Sequence, residues 1–267
     1  MKPIPDTSPV PNYRDMLALA GRGFVVAGAG QGIGRQTAHA LASAGAKVLC
    51  VDVVEEFAQQ VAAEVGGVAL VADMCERSGV QEALDLARAS FGALAGIVDI
   101  IGMSNFKSIA ETDDEDWEHA QRINLRHAFL LAQMGSAALA GDGGGSLVFI
   151  ASVTGLNGAP RNASYGAAKA GLISLVKTAA VEFGPLNVRT NAIAPGLVWT
   201  PRLSAQIGEE RRAYWAKNAP LDRVALPQDI AAAALFLSSD LASFVSGQVL
   251  TVDGGTSRKY PYPIDTL

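Results

Sequence analysis

Several residue types are scarce in this chain, and each shortage removes a class of function. Its 267 residues include only two cysteines, Cys50 and Cys75, and three histidines. Two cysteines 25 positions apart provide neither a disulfide framework nor a CxxC metal pair, so both thiols are expected free in a reducing, cytoplasmic setting. His39, His119 and His127 have no ligand-like spacing, so each is expected on a helix surface or in the core and no metal site is expected. Positive charge is short as well: 21 Lys and Arg against 26 Asp and Glu leave a formal charge of −5. That balance gives no attraction to nucleic acid or an anionic membrane. No stretch reaches the roughly 18 uninterrupted apolar residues of a membrane span; the run from Met16 to Val26 is broken by Arg22. The first residues, MKPIPDTSPVPNY, carry prolines and Asp6 where a signal peptide would carry an apolar run.

What is abundant points to one sizeable core. Hydrophobic residues make up 49% and charged residues 18%, a composition suited to a single large domain. Pro3, Pro5, Pro9 and Pro11 oppose regular structure, so residues 1–20 are expected as an extended arm. From Gly23 short apolar runs alternate with helical patterns. Strands are expected at 24–28, 47–52, 68–73, 96–102, 146–152, 187–194 and 248–255. Helices are expected after Gly34 and at 55–65, 80–92, 113–140, 163–184 and 227–239. Thr112 and Glu115 form a capping-box pattern opening the long helix, and the acidic run Asp113–Asp116 reads as first-turn charge, not a metal site. Near-continuous apolar strands alternating with helices predict an α/β fold: one parallel sheet of about seven strands with helices on both faces. A domain over 21–255 is expected, with a polar, aromatic-bearing loop over 197–220 and a tail over 256–267.

In such sheets the ligand crevice lies beyond the C-terminal strand ends, and the chemistry-bearing residues fall there. After the first strand comes Gly28-Ala29-Gly30-Gln31-Gly32-Ile33-Gly34. Isoleucine at 33 breaks the GxGxxG spacing, but Gly28, Gly32 and Gly34 fit GxxxGxG. A glycine turn between strand and helix lets the backbone approach a pyrophosphate, which the helix N-terminus then attracts. Asp52 ends the second strand, where its carboxylate would accept from adenosine ribose hydroxyls and repel a 2′-phosphate. Val53 and Val54 add no base, so NAD is expected over NADP, with Arg35 the residue that would soften the preference. Asp73 with Met74, Gly102 and Pro195-Gly196 sit at further strand ends and complete the candidate cofactor wall.

The segment 151–171, ASVTGLNGAPRNASYGAAKAG, carries the candidate chemistry. Tyr165 and Lys169 are four apart on an Ala-rich helix, hence on one face. A phenol, with a reference pKa of about 10, is a poor base at neutral pH unless a neighbouring cation stabilises its anion. Ser152 would hold a substrate oxygen beside it. Met103, Phe106, Leu156, Val198, Trp199, Tyr214 and Trp215 suggest an apolar, aromatic cleft, with Asn105, Asn157, Arg161 and Arg202 as polar contacts.

In ordered co-occurrence these residues resemble the short-chain dehydrogenase/reductase family, in its single-domain branch, over about residues 20–255. The resemblance rests on Gly28-x-x-x-Gly32-x-Gly34, Asp73, Asn124 in RINLRHAF, Ser152, Tyr165-x-x-x-Lys169 and Pro195-Gly196. It implies a Rossmann-like doubly wound sheet and hydride transfer between NAD(H) and a secondary alcohol or ketone. Tyr165 would be the general acid/base, Ser152 would position the substrate oxygen, and Lys169 would lower the tyrosine pKa and hold the nicotinamide ribose. Asn124 would hold a relay water, Asp73 would contact adenine, and Val198 and Thr200 would lie near the carboxamide. Gly28, Gln31, Gly32, Ile33 and Gly34 would cradle the phosphates. Substrate contacts would come from Ser152, Tyr165, Asn105, Leu156 and Trp199. A homotetramer paired through helices 113–140 and 163–184 is also implied. An NADPH-dependent carbonyl reductase and a non-catalytic dinucleotide-binding regulator are the alternatives. The chain departs from the family where Asn-Asn-Ala-Gly is usual: it has Asp99-Ile100-Ile101-Gly102, and an ionised aspartate accepts hydrogen bonds without donating them. It also has Ala27 where threonine is common.

Overall fold

The computed structural model describes residues 6–259. Seven parallel strands form one sheet: β1 (Gly23–Ala27), β2 (Lys47–Asp52), β3 (Val68–Val71), β4 (Leu94–Asp99), β5 (Gly145–Ile150), β6 (Val188–Pro195) and β7 (Val249–Val252). Their spatial order is β3-β2-β1-β4-β5-β6-β7, with the direction of winding reversing between β1 and β4. That reversal opens a crevice at the C-terminal strand ends, the ligand position of doubly wound sheets. The expected single-domain α/β architecture is therefore present.

Among the described residues the helices are α1 (Tyr13–Leu17), α2 (Ile33–Ser43), α3 (Glu55–Val65), α4 (Arg77–Phe91), α5 (Asp114–Gln121), α6 (His127–Leu130), α7 (Ser136–Gly141), α8 (Ala163–Phe183), α9 (Pro201–Ile207), α10 (Glu209–Ala216) and α11 (Pro227–Ser238). Strand alternation splits the core into two layers. Val25 and Ala27 of β1 join Leu84, Leu131, Leu172 and Val176 on one face. Phe24 and Val26 join Ala38, Leu41, Val61, Ile230 and Leu237 on the other. Burial on both faces is why the strands read as continuous apolar runs.

Several expectations need correction. The first twenty residues, expected as an extended arm, contain α1, capped by the Asn12 side chain, and Leu19 is fully buried. The cap of α5 is Asp113 paired with Asp116, one residue beyond the expected Thr112 and Glu115. Thr112 instead donates its hydroxyl to the Ser108 carbonyl. The long helix over 113–140 is not continuous: π turns at Arg122–Arg126 and Leu131–Gly135 separate α5, α6 and α7. β3 and β4 end at Val71 and Asp99, so Asp73 and Gly102 lie in the following loops and not on strands. The segment 197–220 holds two short helices, α9 and α10, instead of an irregular loop.

Candidate active site

A cavity of about 630 Å³ runs along the C-terminal strand ends, a volume typical of small-molecule and cofactor sites. Of the residues expected at the cofactor, Gly28, Gln31, Gly32, Ile33, Asp52, Asp73, Met74, Gly102, Tyr165, Val198 and Thr200 line it. Gly34 lies behind the wall, where an added Cβ would collide with the Gly28 carbonyl oxygen. This close approach lets α2 begin directly against the turn, with its first residue, Ile33, on the cavity wall. Pro195 ends β6, and Gly196 lines a second cavity beside Trp215 and Asn157.

Asp52 fastens the glycine turn: its Oδ2 accepts from Gly30 N at 2.9 Å and its Oδ1 from Val54 N at 3.0 Å. Arg35 points elsewhere, donating to Glu64 at 2.7 Å. Asp73 accepts from Cys75 N at 2.8 Å and from Arg122 at 2.7 Å. Burial pushes its carboxyl up, but those donors outweigh burial and hold it below the usual range. Thr200 caps α9 by accepting from Leu203 N at 3.3 Å, and its methyl stands over Gly32.

At the other end of the cavity stands Tyr165, with the buried Lys169 and Ser152 beside it. Tyr165 and Lys169 are one turn apart on α8, with Nζ 5.8 Å from the phenol ring centroid. Lys169 is 1% exposed; its ammonium donates to the carbonyls of Ile150 at 2.8 Å and Ile101 at 3.2 Å. Burial pulls it down to about 8, against the opposing pull of the Asp99 charge. Burial pushes the Tyr165 phenol up, and its hydrogen bond with Ser152 partly offsets that. Ser152 Oγ in turn accepts from Thr154 Oγ1 at 2.8 Å and Thr154 N at 3.2 Å.

Asn124 sits in the first π turn, fully buried. Its side chain accepts from Met103 N at 2.8 Å and donates to the carbonyls of Met103 and Ala120, both at 3.0 Å. It thereby ties the loop after β4 to the helix behind it.

The structure does not bring every candidate to the cavities. Asn105, Leu156, Arg161, Trp199 and Tyr214 line neither of them, and Ser152, 9% exposed, also lies off both linings, reached through its hydrogen bond with Tyr165. Trp199 is 9% exposed, with the Arg212 guanidinium of α10 over its ring at 5.2 Å. Arg161 is tied to Phe106 O and Glu111. Among the described residues no group of His, Cys, Asp and Glu has the arrangement of a metal site, and no helix is long and apolar enough to cross a membrane.

Two features escaped the sequence reading. Arg122 lines the cavity and joins Asp73 to Glu76; nothing in sequence spacing pairs a helix arginine with a loop 49 residues earlier. The other is a buried pair. His127 Nδ1 lies 2.7 Å from Asp99 Oδ2, and the two side chains are 0% and 1% exposed. His127 was expected on a helix surface or in the core, and the core is where it lies. Removing one partner leaves the other polar group buried without its hydrogen bond, which typically costs about 1–3 kcal/mol.

Comparison with known proteins gives the family. The family model described as enoyl-(acyl carrier protein) reductase matches residues 28–257. Cis-4-hydroxycyclohexanecarboxylate dehydrogenase of Sinomonas cyclohexanicum is 37% identical, over 89% of this chain and 97% of that protein. 3-Oxoacyl-(acyl-carrier-protein) reductase of Thermotoga maritima is 32% identical, over 90% and 99%. A solved 7α-hydroxysteroid dehydrogenase, complexed with NADH and 7-oxo glycochenodeoxycholic acid, superposes with a TM-score of 0.87 at 34% identity, covering 92% of this chain and 98% of that one. With its seven-stranded order, its glycine turn and these matches, the chain belongs to the short-chain dehydrogenase/reductase family of oxidoreductases.

Proposed function

We propose that this protein is an NAD-dependent dehydrogenase that oxidises a secondary alcohol to a ketone, with Tyr165 as the general acid/base. The observation that carries the reading is the placement of Tyr165 on the wall of the glycine-lined cavity, with the Lys169 ammonium buried one turn behind it. The residues fit a dinucleotide: the turn at Gly28–Gly34 leaves no room for a side chain at Gly34, and the cavity extends from there past Asp52 to Tyr165. NAD, when bound there, would supply the hydride acceptor.

The chain's own residues then manage one proton. The Ser152 hydroxyl, oriented by Thr154, holds the substrate oxygen near the phenol. Tyr165 takes the hydroxyl proton, a step general acid/base groups accelerate by about 10²–10⁴. Lys169 holds positive charge beside the phenolate, which counters the burial that disfavours it. All of them on the cavity wall, Gly28, Gln31, Gly32 and Ile33 would hold the phosphates, Asp73 and Met74 the adenine, and Gly102, Val198 and Thr200 the nicotinamide. Pro195 and Gly196 shape the strand end below, and Asn124 holds the loop that carries Gly102 and Met103.

Asp52 supports NAD over NADP, because it lines the cavity and Arg35, the base expected to soften that preference, lies off the cavity wall and is committed to Glu64. The names of two relatives, a hydroxycyclohexanecarboxylate and a hydroxysteroid dehydrogenase, favour a cyclic secondary alcohol. The segment 197–220 acts as a lid, since α9 covers the glycine turn through Thr200. Exposed Trp117, Phe129 and Val181 on the helices after Asp113 and on α8 support pairing between subunits in a homotetramer. The test is NADH formation from a panel of cyclic, steroid, sugar and aryl secondary alcohols, with Y165F beside the parent. Turnover in Y165F should fall at least a hundredfold while NADH still binds; turnover that survives the change removes the mechanism.

A further inference from the structure

The strongest unexplained feature is the pair that departs from the family's usual sequence. Asp99 stands where asparagine is usual, and a histidine on the next layer has its Nδ1 2.7 Å from the carboxylate. An ionised carboxylate only accepts, so the imidazole nitrogen facing it is the donor. The second carboxylate oxygen, Oδ1, accepts from Ile101 N at 3.1 Å. The carbonyl of that same Ile101 accepts from Lys169 Nζ at 3.2 Å. A run of contacts thus leads from His127 through Asp99 to the Ile101 N–H and, across the Ile101 Cα, from its carbonyl to the Lys169 ammonium.

We propose that Asp99, braced by His127, is the positioning residue that sets both the place and the charge of Lys169. It does so in two ways. Mechanically, it fixes the backbone N–H of Ile101, the residue whose carbonyl is one of the two that receive the ammonium. Electrostatically, it provides a buried negative charge within reach of an ammonium that burial would otherwise discharge. His127 keeps that charge hydrogen-bonded where water does not reach, since both side chains lie in the interior. Among the described residues its Nε2 has no hydrogen-bond partner, so Asp99 is the side-chain contact that orients the ring.

The groups around these contacts are few. Facing Lys169 are Tyr165 on the same helix, Asp99 at the end of β4, and the carbonyls of Ile150 and Ile101. Facing Asp99 are His127 on α6, Lys169 on α8 and the Cys75 thiol after β3, which burial pushes up to about 12 and so keeps neutral. Asp99 is the negative charge in this set. The assignment rests on the proposed role of Lys169, and the measurement below keeps the two separate.

Lys169 is titrated directly by NMR of protein carrying 13C at the lysine ε-carbons, with K169M used to assign the resonance, in the parent and in D99N. Asparagine is close to isosteric and still accepts from Ile101 N, so the fold should persist. Its Lys169 midpoint should drop by at least one pH unit below the parent's. H127L should lower the midpoint in the same direction, whereas H127Q, which keeps an N–H donor, should stay within about 0.3 unit of the parent. In the alcohol assay D99N should reduce kcat at least tenfold with KM for NAD changed less than threefold. A folded D99N with an unmoved Lys169 midpoint overturns the proposal, whatever its activity. Loss of the tyrosine mechanism would show differently, as surviving turnover in Y165F, and would leave the lysine titration to be read on its own.

Discussion

A Cβ placed on Gly102 would sit 2.7 Å from Nζ of Lys169 and 2.9 Å from Oδ1 of Asn124. The backbone there has φ of 155°, a conformation L side chains rarely adopt. Alanine at 102 would therefore both strain the loop and push the ammonium off its carbonyls. Strain of this kind costs about 1–3 kcal/mol. G102A should lower Tm by about 3–10 °C and reduce kcat at least tenfold, read by calorimetry and by initial rates. A variant with parental Tm and kcat would show that the loop has slack the geometry denies.

The hydroxyl that meets Ser152 makes a second case. Thr154 donates to Ser152 Oγ at 2.8 Å, which keeps the serine oxygen in the acceptor role and directs its proton toward Tyr165 and a substrate oxygen beside it. T154V keeps the side-chain shape and removes that donor. One hydrogen bond is worth about 1 kcal/mol net, so kcat should fall roughly fivefold, with NADH affinity unchanged in a fluorescence titration. An unaltered kcat would mean that Ser152 is oriented by its backbone contacts alone.

The sheet and the site were legible in sequence to different degrees, for physical reasons. Parallel strands buried on both faces advertise themselves as apolar runs, so β1, β2 and β5 were expected to within one or two residues. Gly28, Gly32, Tyr165 and Lys169 were readable because one turn and one helix face fix their spacing locally. The Asp99–His127 pair was not, because it joins a strand end to a helix 28 residues later and neither partner has a local signature. The π turns around Asn124 were hidden for a related reason: the sequence is a good helix, and the extra residue in the turn accompanies contacts made to Met103. Thr112 lost the cap of α5 to Asp113 because an acid one residue later reaches Asp116 N at 2.8 Å.

Asp52 offers a direct test of cofactor choice. D52N preserves an acceptor for the Gly30 or Val54 amide while removing the charge that would meet a 2′-phosphate. The ratio of kcat/KM for NADP to that for NAD should rise about tenfold, equivalent to about 1.4 kcal/mol. D52N combined with V53R, which adds a base beside the same cavity wall, should raise it further. A ratio that stays put in both variants would place the discrimination away from the end of β2.

The two thiols give a pH dependence whose sign can be worked out in advance. Burial pushes Cys50 and Cys75 from an ordinary 9.0 up to about 12. The unfolded chain then releases these protons at lower pH than the native protein. Their contribution to stability is complete below about pH 9 and is lost as pH rises toward 12, at about 1.4 kcal/mol per pH unit for each thiol. Lys169 works in the opposite sense: brought down to about 8 from 10.5, it adds stability as pH rises between those values. The lysine alone acts from about pH 8 to 9, and above that the two thiols outweigh it. Subtracting the urea-unfolding curve of C50A/C75A from that of the parent cancels the lysine and isolates the thiols. The difference should be flat to pH 9 and then fall steadily. Both thiols should also resist a disulfide reagent at pH 8 until denaturant is added, since each is at most 4% exposed. Parallel alkaline limbs in parent and variant, or rapid thiol reaction in the native protein, would place these sulfurs in contact with water.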